Sequence, residues 1–288
     1  MAESPCFPPE LERYIFETAA HLYPGIIPRL LLVAQRVLIW IEPWLHRTVF
    51  FDSFTKKSGH GAAILRALQT HSKLAQFFAA AVRYLFVFSF ELDGFFGQYT
   101  KREWSDAELA ILFQACSGVE TLLLFGDIEK HKLLELFTKT TMRPWRIIML
   151  LDLIGTTPDI SLSVFDNVTH LVLGDINETD RILDENWGQL RNLQGLPRLT
   201  HLALYKCSTW SSTRLVSALL SGCANLHCLI IVTHDPVPVL EEMNDSRLSI
   251  VIDRRPLFDA PDEADGLDIW AHIDGAIRRY TDIFGQDS

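Results

Sequence analysis

One short apolar phrase recurs along the chain and constrains its fold more than any other feature. An apolar residue, two variable positions and an apolar–variable–apolar triplet begin at Val119, Val168, Leu199 and Leu226, and a degenerate copy begins at Trp145. The fourth positions of successive copies are residues 122, 148, 171, 202 and 229, so the steps range from 23 (148 to 171) to 31 (171 to 202) residues. A unit of this size cannot bury its own apolar face, and neighbouring units must therefore stack and share one core.

Strand-like and helix-like segments alternate along most of the chain. Strands that alternate with helices favour a parallel sheet, and the spacing is close to the period of leucine-rich repeats, roughly 20–29 residues. We therefore predict an α/β fold, an irregular leucine-rich-repeat solenoid of parallel strands alternating with helices. The predicted strands cover residues 46–51, 83–90, 119–124, 145–151, 168–173, 199–204, 226–232 and 247–253, and the predicted helices cover 62–81, with a break near 69–72, 107–116, 129–139, 178–191 and 212–221.

Composition and charge exclude several classes of protein. Hydrophobic residues make up 48% of the 288 residues, which excludes a disordered or fibrous chain. The net charge of −10 repels phosphate backbones, so we expect no nucleic-acid partner. Five cysteines without a CxxC spacing indicate free thiols in a reducing compartment. No secretory signal is evident, and arginines interrupt the apolar stretches 26–41 and 74–90. We expect no membrane partner and a cytoplasmic or nuclear location.

Helical segments flank the repeats on both sides. Prolines open the first two helices of the N-terminal segment, and Pro43 is expected to end its helical pattern because proline cannot continue a helix interior. The C-terminal segment is a proline- and acid-rich linker followed by an amphipathic helix, which suits the cap of a stack of repeats. The predicted domains are a helical unit at 7–46, the repeats at 47–253, and the linker with its capping helix at 254–288.

The N-terminal helical unit resembles an F-box. The segment 7–11, Phe-Pro-Pro-Glu-Leu, followed by Ile15-Phe16, is similar to the family's opening, in which Leu-Pro-x-Glu-Leu leads to a buried Ile-Leu pair. The segment 30–37, followed by Trp44-Leu45, resembles the second half of the motif. Two positions depart from it, since Val37 stands where the family often has Trp and Ala34 where it often has Cys. The whole chain looks like the F-box-like, leucine-rich-repeat proteins that are abundant in mushroom-forming fungi.

The resemblance implies a substrate-receptor subunit that has no catalytic activity of its own. The helical unit would bind the small adaptor subunit of a cullin–RING (SCF-type) ubiquitin ligase, and the repeats would hold an unidentified protein substrate. A helical cap on the repeats needs the same proline-initiated helices, so a scaffold or binding protein without ligase attachment is the alternative. Carried over position by position, the adaptor-binding residues would be Phe7, Pro8, Leu11, Ile15, Leu30, Val33, Trp44 and Leu45.

Alternating residues of the repeated phrase point to opposite faces of the sheet. Positions one, four and six are expected to point to the core, which leaves positions three, five and seven on the outer face. The apolar residues at positions five and seven form either an exposed contact surface for a substrate or a face covered by helices or by the C-terminal segment. The predicted substrate-binding residues are Leu123, Met149, Val172, Ala203 and Ile230 at position five, with Phe125 and Tyr205 at position seven.

Position three reads Thr121, Ile147, His170, His201 and Cys228 along the repeats. A His-His-Cys row is a potential zinc site, but Thr-His-Leu recurs as part of the phrase, which favours packing or hydrogen bonding. We predict neither a metal nor a cofactor. The sequence has no phosphate loop, dinucleotide-binding, metalloprotease or nucleophile-elbow motif. A hydrolase or transferase on an irregular α/β solenoid is therefore only the third alternative.

Overall fold

A computed structural model of the chain describes residues 7–52, 60–70, 72–89, 105–126, 130–150, 161–174, 188–205, 213–233, 240 and 242–252. The predicted C-terminal linker and capping helix at 254–288, and most of the predicted helix at 178–191, lie outside these residues.

The described strands form a single open sheet in which every strand is parallel to its neighbours. Their order in the sheet is their order in the sequence, so each unit lies beside the one that follows it. The prediction of a parallel α/β fold is confirmed, and this arrangement is compatible with a solenoid. The strands are β1 (Thr48–Asp52), β2 (Tyr84–Ser89), β3 (Thr121–Gly126), β4 (Arg146–Leu150), β5 (His170–Gly174), β6 (His201–Tyr205), β7 (Cys228–Thr233) and β8 (Leu248–Ile252).

Helices precede and connect these strands. The predicted helix at 62–81 is divided in two at its expected break. A capping box begins the helix at 106, because the Ser105 hydroxyl accepts the Glu108 N–H and the Glu108 carboxylate accepts the Ser105 N–H. The α-helices are α1 (Pro9–Leu22), α2 (Ile27–Leu30), α3 (Gln35–Leu45), α4 (His60–Gln69), α5 (Ala75–Ala81), α6 (Asp106–Ala115), α7 (Lys130–Lys139) and α8 (Thr213–Gly222), with 3₁₀ turns at Pro24–Ile26, Ser163–Phe165 and Gly188–Gly195.

One backbone arrangement is repeated at the start of successive strands. The carbonyl oxygen of Arg47, just before β1, accepts the N–H groups of Arg83 and Tyr84 in the next unit, at 2.9 and 3.0 Å. The carbonyl oxygen of the residue before each of the strands β2 to β6 likewise accepts two N–H groups. One comes from the residue before the next strand and the other from that strand's first residue. This link joins β1 through β7 and depends on no side chain, so units with dissimilar sequences share one geometry. The same pair of bonds recurs at the carbonyl oxygens of Arg83, Glu120, Trp145, Thr169 and Thr200.

A second repeated element is a tight turn that leads into four of the strands. In each turn an N–H bonds to the carbonyl oxygen three residues earlier, and the residues at both ends of the turn are buried. Side chains tie successive turns together, since Asn225 donates to the carbonyl oxygen of Pro197 at 2.7 Å and Arg198 donates to Asn167 at 2.9 Å. The turns run from Cys116 to Val119, from Phe165 to Val168, from Leu196 to Leu199 and from Cys223 to Leu226.

The register of β4 differs by one residue from the prediction. Leu122 pairs with Ile147 rather than with Ile148, and Leu124 pairs with Met149. Ile147 and Met149 therefore point into the core between sheet and helices, where both are buried. The prediction that Met149 lies on the outer face was wrong, because the apolar run 147–150 satisfies the phrase in either register.

One continuous core lies between the sheet and the helices. It is built from the alternate residues of the strands that correspond to positions four and six, and from the apolar faces of α4 to α8. Leu85, Leu122, Leu202 and Leu229 are each 0% exposed. Since every unit contributes to the same cluster, each is stabilised mainly by its neighbours, as stacked repeats require.

Candidate protein-docking site

The N-terminal helices pack around a small core of their own. Ala20 of α1, Ile27 of α2, and Val37 and Ile41 of α3 are buried together, and they form a cluster separate from the core of the sheet. Pro43 lies inside α3 rather than ending it, and the helix continues to Leu45. The prediction of a break was wrong, because the helix continues for two residues beyond Pro43 before it ends.

An ion pair fixes α1 against α3. The carboxylate of Glu12 accepts a hydrogen bond from the guanidinium of Arg36 at 2.7 Å. The hydrogen bond, and then the charge of Glu12, raise the pKa of Arg36 above its usual value. Ile15 follows Glu12 by three residues on α1, and Val33 lies in the turn before α3, three residues before Arg36. The pair therefore holds the segment that carries Ile15 beside the segment that carries Val33.

Most of the predicted adaptor-binding residues are exposed. Phe7, Leu11, Ile15 and Val33 are 56%, 53%, 51% and 58% exposed, although all four are apolar, and Pro8 is exposed beside them. Leu11 and Ile15 are four residues apart and so share one face of α1. The opposite face supplies Ala20 to the core. The helix thus carries apolar residues on two faces and buries only one of them.

The other three predicted adaptor-binding residues serve the helical unit itself. Leu30, Trp44 and Leu45 are partly buried and pack against its core. The Trp44 ring also lies 5.7 Å from the ring of His21, centroid to centroid, and 4.8 Å below the guanidinium carbon of Arg47. These contacts leave Trp44 and Leu45 less surface for a partner than the sequence motif suggests.

Sequence reasoning missed five further exposed apolar residues in this segment. Nine of the thirteen exposed large hydrophobic residues in the described part of the chain lie between 7 and 39. We call these nine the helical-unit surface. Helical spacing would have found two of the missed residues, since Tyr14 follows Leu11 by three positions and Leu22 follows Ile15 by seven. The missed residues are Tyr14, Leu22, Tyr23, Leu32 and Ile39.

The outer face of the sheet is buried rather than open. Leu123, Val172, Ala203 and Ile230 are each 0% exposed, so they are not available to a substrate. Of the two alternatives for this face, the covered one is correct. On β1 an outward-facing residue stays open: Phe50 is 42% exposed and stacks on Phe86. The side chains of Phe125 and Tyr205, also predicted to bind substrate, lie outside the described part.

The row of residues at position three is formed, with Arg146 in place of Ile147. The rings of His170 and His201 stack at 4.2 Å and are inclined by only 6°. Two parallel stacked rings direct their nitrogen lone pairs along parallel lines, and such lines do not converge on one metal ion. Among the described residues there is no group of three or more His, Cys, Asp or Glu side chains that could hold a metal.

Threonines orient these two histidines. The Thr200 hydroxyl donates to the carbonyl oxygen of Thr169 at 3.1 Å and lies 2.8 Å from Nδ1 of His201. A hydroxyl that gives its single hydrogen to the carbonyl can only accept from Nδ1–H, so this geometry predicts the Nδ1–H tautomer of the His201 ring. Thr169 makes the same pair of contacts, to the carbonyl oxygen of Trp145 at 3.2 Å and to His170 at 2.8 Å. The recurring Thr-His pair is therefore a structural link between units.

Two of the three described cysteines, Cys116 and Cys223, are poorly suited to catalysis. Burial raises the pKa of the Cys116 thiol to about 12 and raises that of Cys223. A thiol needs to lose its proton to act as a nucleophile.

In the part of the chain that the structure covers, no helix combines the length and the apolar character needed to cross a membrane.

A groove separates the helical unit from the first repeats. It is lined by α1, α3, the end of α5 and residues next to β1 and β2, and it has a volume of about 430 Å³. Its polar side chains are Arg13, Glu17, Arg47 and Arg83. The helical-unit surface and this groove are thus two features of the described residues that can accept a partner. No protein-family model matches the sequence, and no curated protein matches it.

Proposed function

We propose that this protein is a substrate-receptor subunit of a cullin–RING ubiquitin ligase, with an F-box-like helical unit at 7–46 and leucine-rich repeats at 47–253. The observation that carries the proposal is the exposure of Phe7, Leu11, Ile15 and Val33. The sequence motif assigned these positions to the adaptor, and each is apolar yet more than half exposed. Residues of this kind, concentrated in one segment, mark a contact site for another protein.

Association with a partner would remove the apolar side chains of this surface from water. Removal of apolar surface from water contributes about 25 cal/mol per Å², and the helical-unit surface offers nine large hydrophobic residues. The ion pair between Glu12 and Arg36 already orders the two segments that carry Ile15 and Val33. A partner therefore meets a surface whose backbone is fixed, and little ordering entropy is lost on binding.

The repeats would contact the protein substrate by surfaces other than the outer sheet face, because that face is buried. The loops and helical surfaces at the margins of the sheet are where solenoids also carry variable residues. The chain would contribute no catalytic step, and it would need no cofactor.

A pull-down with the purified adaptor tests the proposal. Ile15→Asp and Val33→Asp each place a carboxylate in the apolar contact, which costs about 3 kcal/mol or more and lowers the affinity about a hundredfold. Leu134→Asp is the matched control, because Leu134 is also an exposed aliphatic residue but lies on α7. We expect the control to bind the adaptor as the wild-type protein does. If the folded wild-type protein fails to bind the adaptor, the proposal is wrong.

The second candidate is a repeat-based scaffold whose helices only cap the stack. The contacts between α3 and the first repeats favour it: Lys73 pairs with Glu42 at 2.7 Å, and the His46 ring packs edge-on against Phe77 and Phe78, 5.5 Å from each. A cap needs these inner contacts but has no use for the exposed apolar residues. Adaptor binding that is lost in Ile15→Asp and kept in Leu134→Asp would decide against this candidate.

A further inference from the structure

The groove between the helical unit and the first repeats is lined by more positive than negative side chains. Among the described residues, Arg13, Arg47 and Arg83 line it, and Glu17 is the only acidic residue that does. The chain as a whole carries a net charge of −10, but a charge is screened beyond about 10 Å at ordinary salt. A ligand in the groove therefore interacts mainly with the charged residues that line it and with their immediate partners.

Two of the three arginines already have carboxylate partners. Arg13 pairs with Glu17 at 2.8 Å, and Arg83 pairs with Glu120 at 3.5 Å while donating to the carbonyl oxygen of Gly118 at 3.2 Å. Arg47 differs from both. Its guanidinium makes no ion pair and no hydrogen bond with any residue that the structure describes, and its contacts there are with aromatic rings.

Those rings hold the Arg47 side chain in place. Its guanidinium carbon lies 4.8 Å from the centroid of Trp44 and 5.8 Å from that of Tyr84. Its backbone is fixed as well, because the Arg47 carbonyl accepts the N–H groups of Arg83 and Tyr84. An arginine that is oriented by stacking keeps its N–H donors available for a planar, two-oxygen acceptor. The group that would complete this arrangement is a carboxylate that accepts hydrogen bonds from the Arg47 guanidinium.

The rest of the groove is apolar and of limited size. Ile39, Trp40 and Pro43 form one wall, and Ala80 and Ala81 form the other. The volume of about 430 Å³ is near the lower end of the range for ligand pockets, roughly 300–1,000 Å³. The groove is open to solvent, whereas a small-molecule pocket encloses most of its ligand. It therefore accepts a few side chains of an extended chain and not a folded domain.

We propose that this groove docks a short acidic peptide segment of a partner protein, with one carboxylate on Arg47 and a neighbouring apolar side chain on Trp40 and Pro43. The site is distinct from the helical-unit surface, with which it shares only Ile39, and the proposal holds whether or not the chain binds a ligase adaptor.

Fluorescence anisotropy with the full chain and a dye-labelled probe tests the proposal. The probe is the peptide glycine–glutamate–leucine–glutamate–glycine, and its control carries glutamine in place of both glutamates. We expect Arg47→Gln to weaken binding of the acidic probe about tenfold or more, because a charge-assisted bidentate contact is lost. Arg29→Gln is the matched variant: it removes the same charge from an exposed site on α2, outside the groove, and should bind as the wild-type protein does.

A second measurement locates the probe without relying on a variant. In NMR spectra, the indole N–H signals of Trp40 and Trp44 should shift on addition of the acidic peptide and stay in place with the glutamine peptide. Equal affinity for the two peptides, or wild-type affinity in folded Arg47→Gln, would overturn the proposal. Inorganic phosphate that displaces the probe at comparable concentration would also overturn it, because the groove would then bind an anion and not a peptide.

Discussion

Gly118, in the turn that leads into β3, makes a close approach that gives the sharpest stability prediction. A Cβ atom at this position would lie 1.9 Å from the carbonyl oxygen of Ala79 in α5, and real Cβ atoms essentially never come within 3.0 Å of another heavy atom. The turn or α5 would therefore have to move by at least 1.1 Å (3.0 minus 1.9). Neither moves freely, because the Gly118 carbonyl accepts a hydrogen bond from Arg83. We expect Gly118→Ala to lower the free energy of unfolding by about 1–3 kcal/mol.

Two other glycines provide graded controls for this substitution. A Cβ at Gly25 would meet no heavy atom within 4 Å, so Gly25→Ala should change stability by less than about 0.5 kcal/mol or stabilise slightly. The three atoms nearest to a Cβ at Gly222 would all belong to the Gln194 side chain, which can rotate away. The gain in helix propensity at the end of α8, up to about 1 kcal/mol, offsets that movement.

Urea denaturation followed by circular dichroism measures all three variants against the wild-type protein. The expected order of stability is Gly25→Ala, then Gly222→Ala, then Gly118→Ala as the least stable. The reasoning is refuted if Gly118→Ala unfolds within about 0.5 kcal/mol of Gly25→Ala, because the turn would then have room that the structure denies it.

Three further measurements follow from the described residues. Cys116, whose thiol pKa is raised to about 12 by burial, should resist N-ethylmaleimide at pH 7 in the folded protein and react once urea unfolds it, as read by peptide mass spectrometry. Hydrogen bonds from Arg247 lower the pKa of Asp245 from 3.8 to about 2. The stabilisation by this pair should therefore be complete above pH 4 and lost as the pH falls through 2. A ¹³C titration that gives the Asp245 carboxylate an ordinary pKa would contradict this prediction. Long-range ¹H–¹⁵N spectra should show His201 as the Nδ1–H tautomer, and Thr200→Val should remove that preference and lower stability by about 0.5–1.5 kcal/mol.

The fold could be predicted from the sequence because each strand carries its own signal. Within each strand, apolar residues recur at a fixed spacing. Polar or capped segments separate the strands, so the alternation of strand and helix follows directly. The register of β4 could not be predicted in the same way. Ile147 to Leu150 is an unbroken apolar run in a sheet buried on both faces, and no polar residue marks which side chains point outward.

The candidate docking surfaces were predicted only in part. The resemblance assigned Leu11 and Ile15 to a partner, and both are exposed on one face of α1. It also assigned Trp44 to a partner, although Trp44 packs within the helical unit. The groove could not be predicted at all. Its three arginines come from separate parts of the chain: Arg13 lies on α1, Arg47 just before β1 and Arg83 just before β2. Only the tertiary packing brings them together.

The paired N–H contacts at each pre-strand carbonyl have an evolutionary consequence. Since these paired bonds are made by the main chain, a unit can be duplicated, deleted or exchanged while its neighbours keep that part of the attachment. The side chains at that position already range from Arg83 through Glu120 and Trp145 to Thr200. Mutation can therefore change the chemistry along this margin while the main-chain part of each joint is kept.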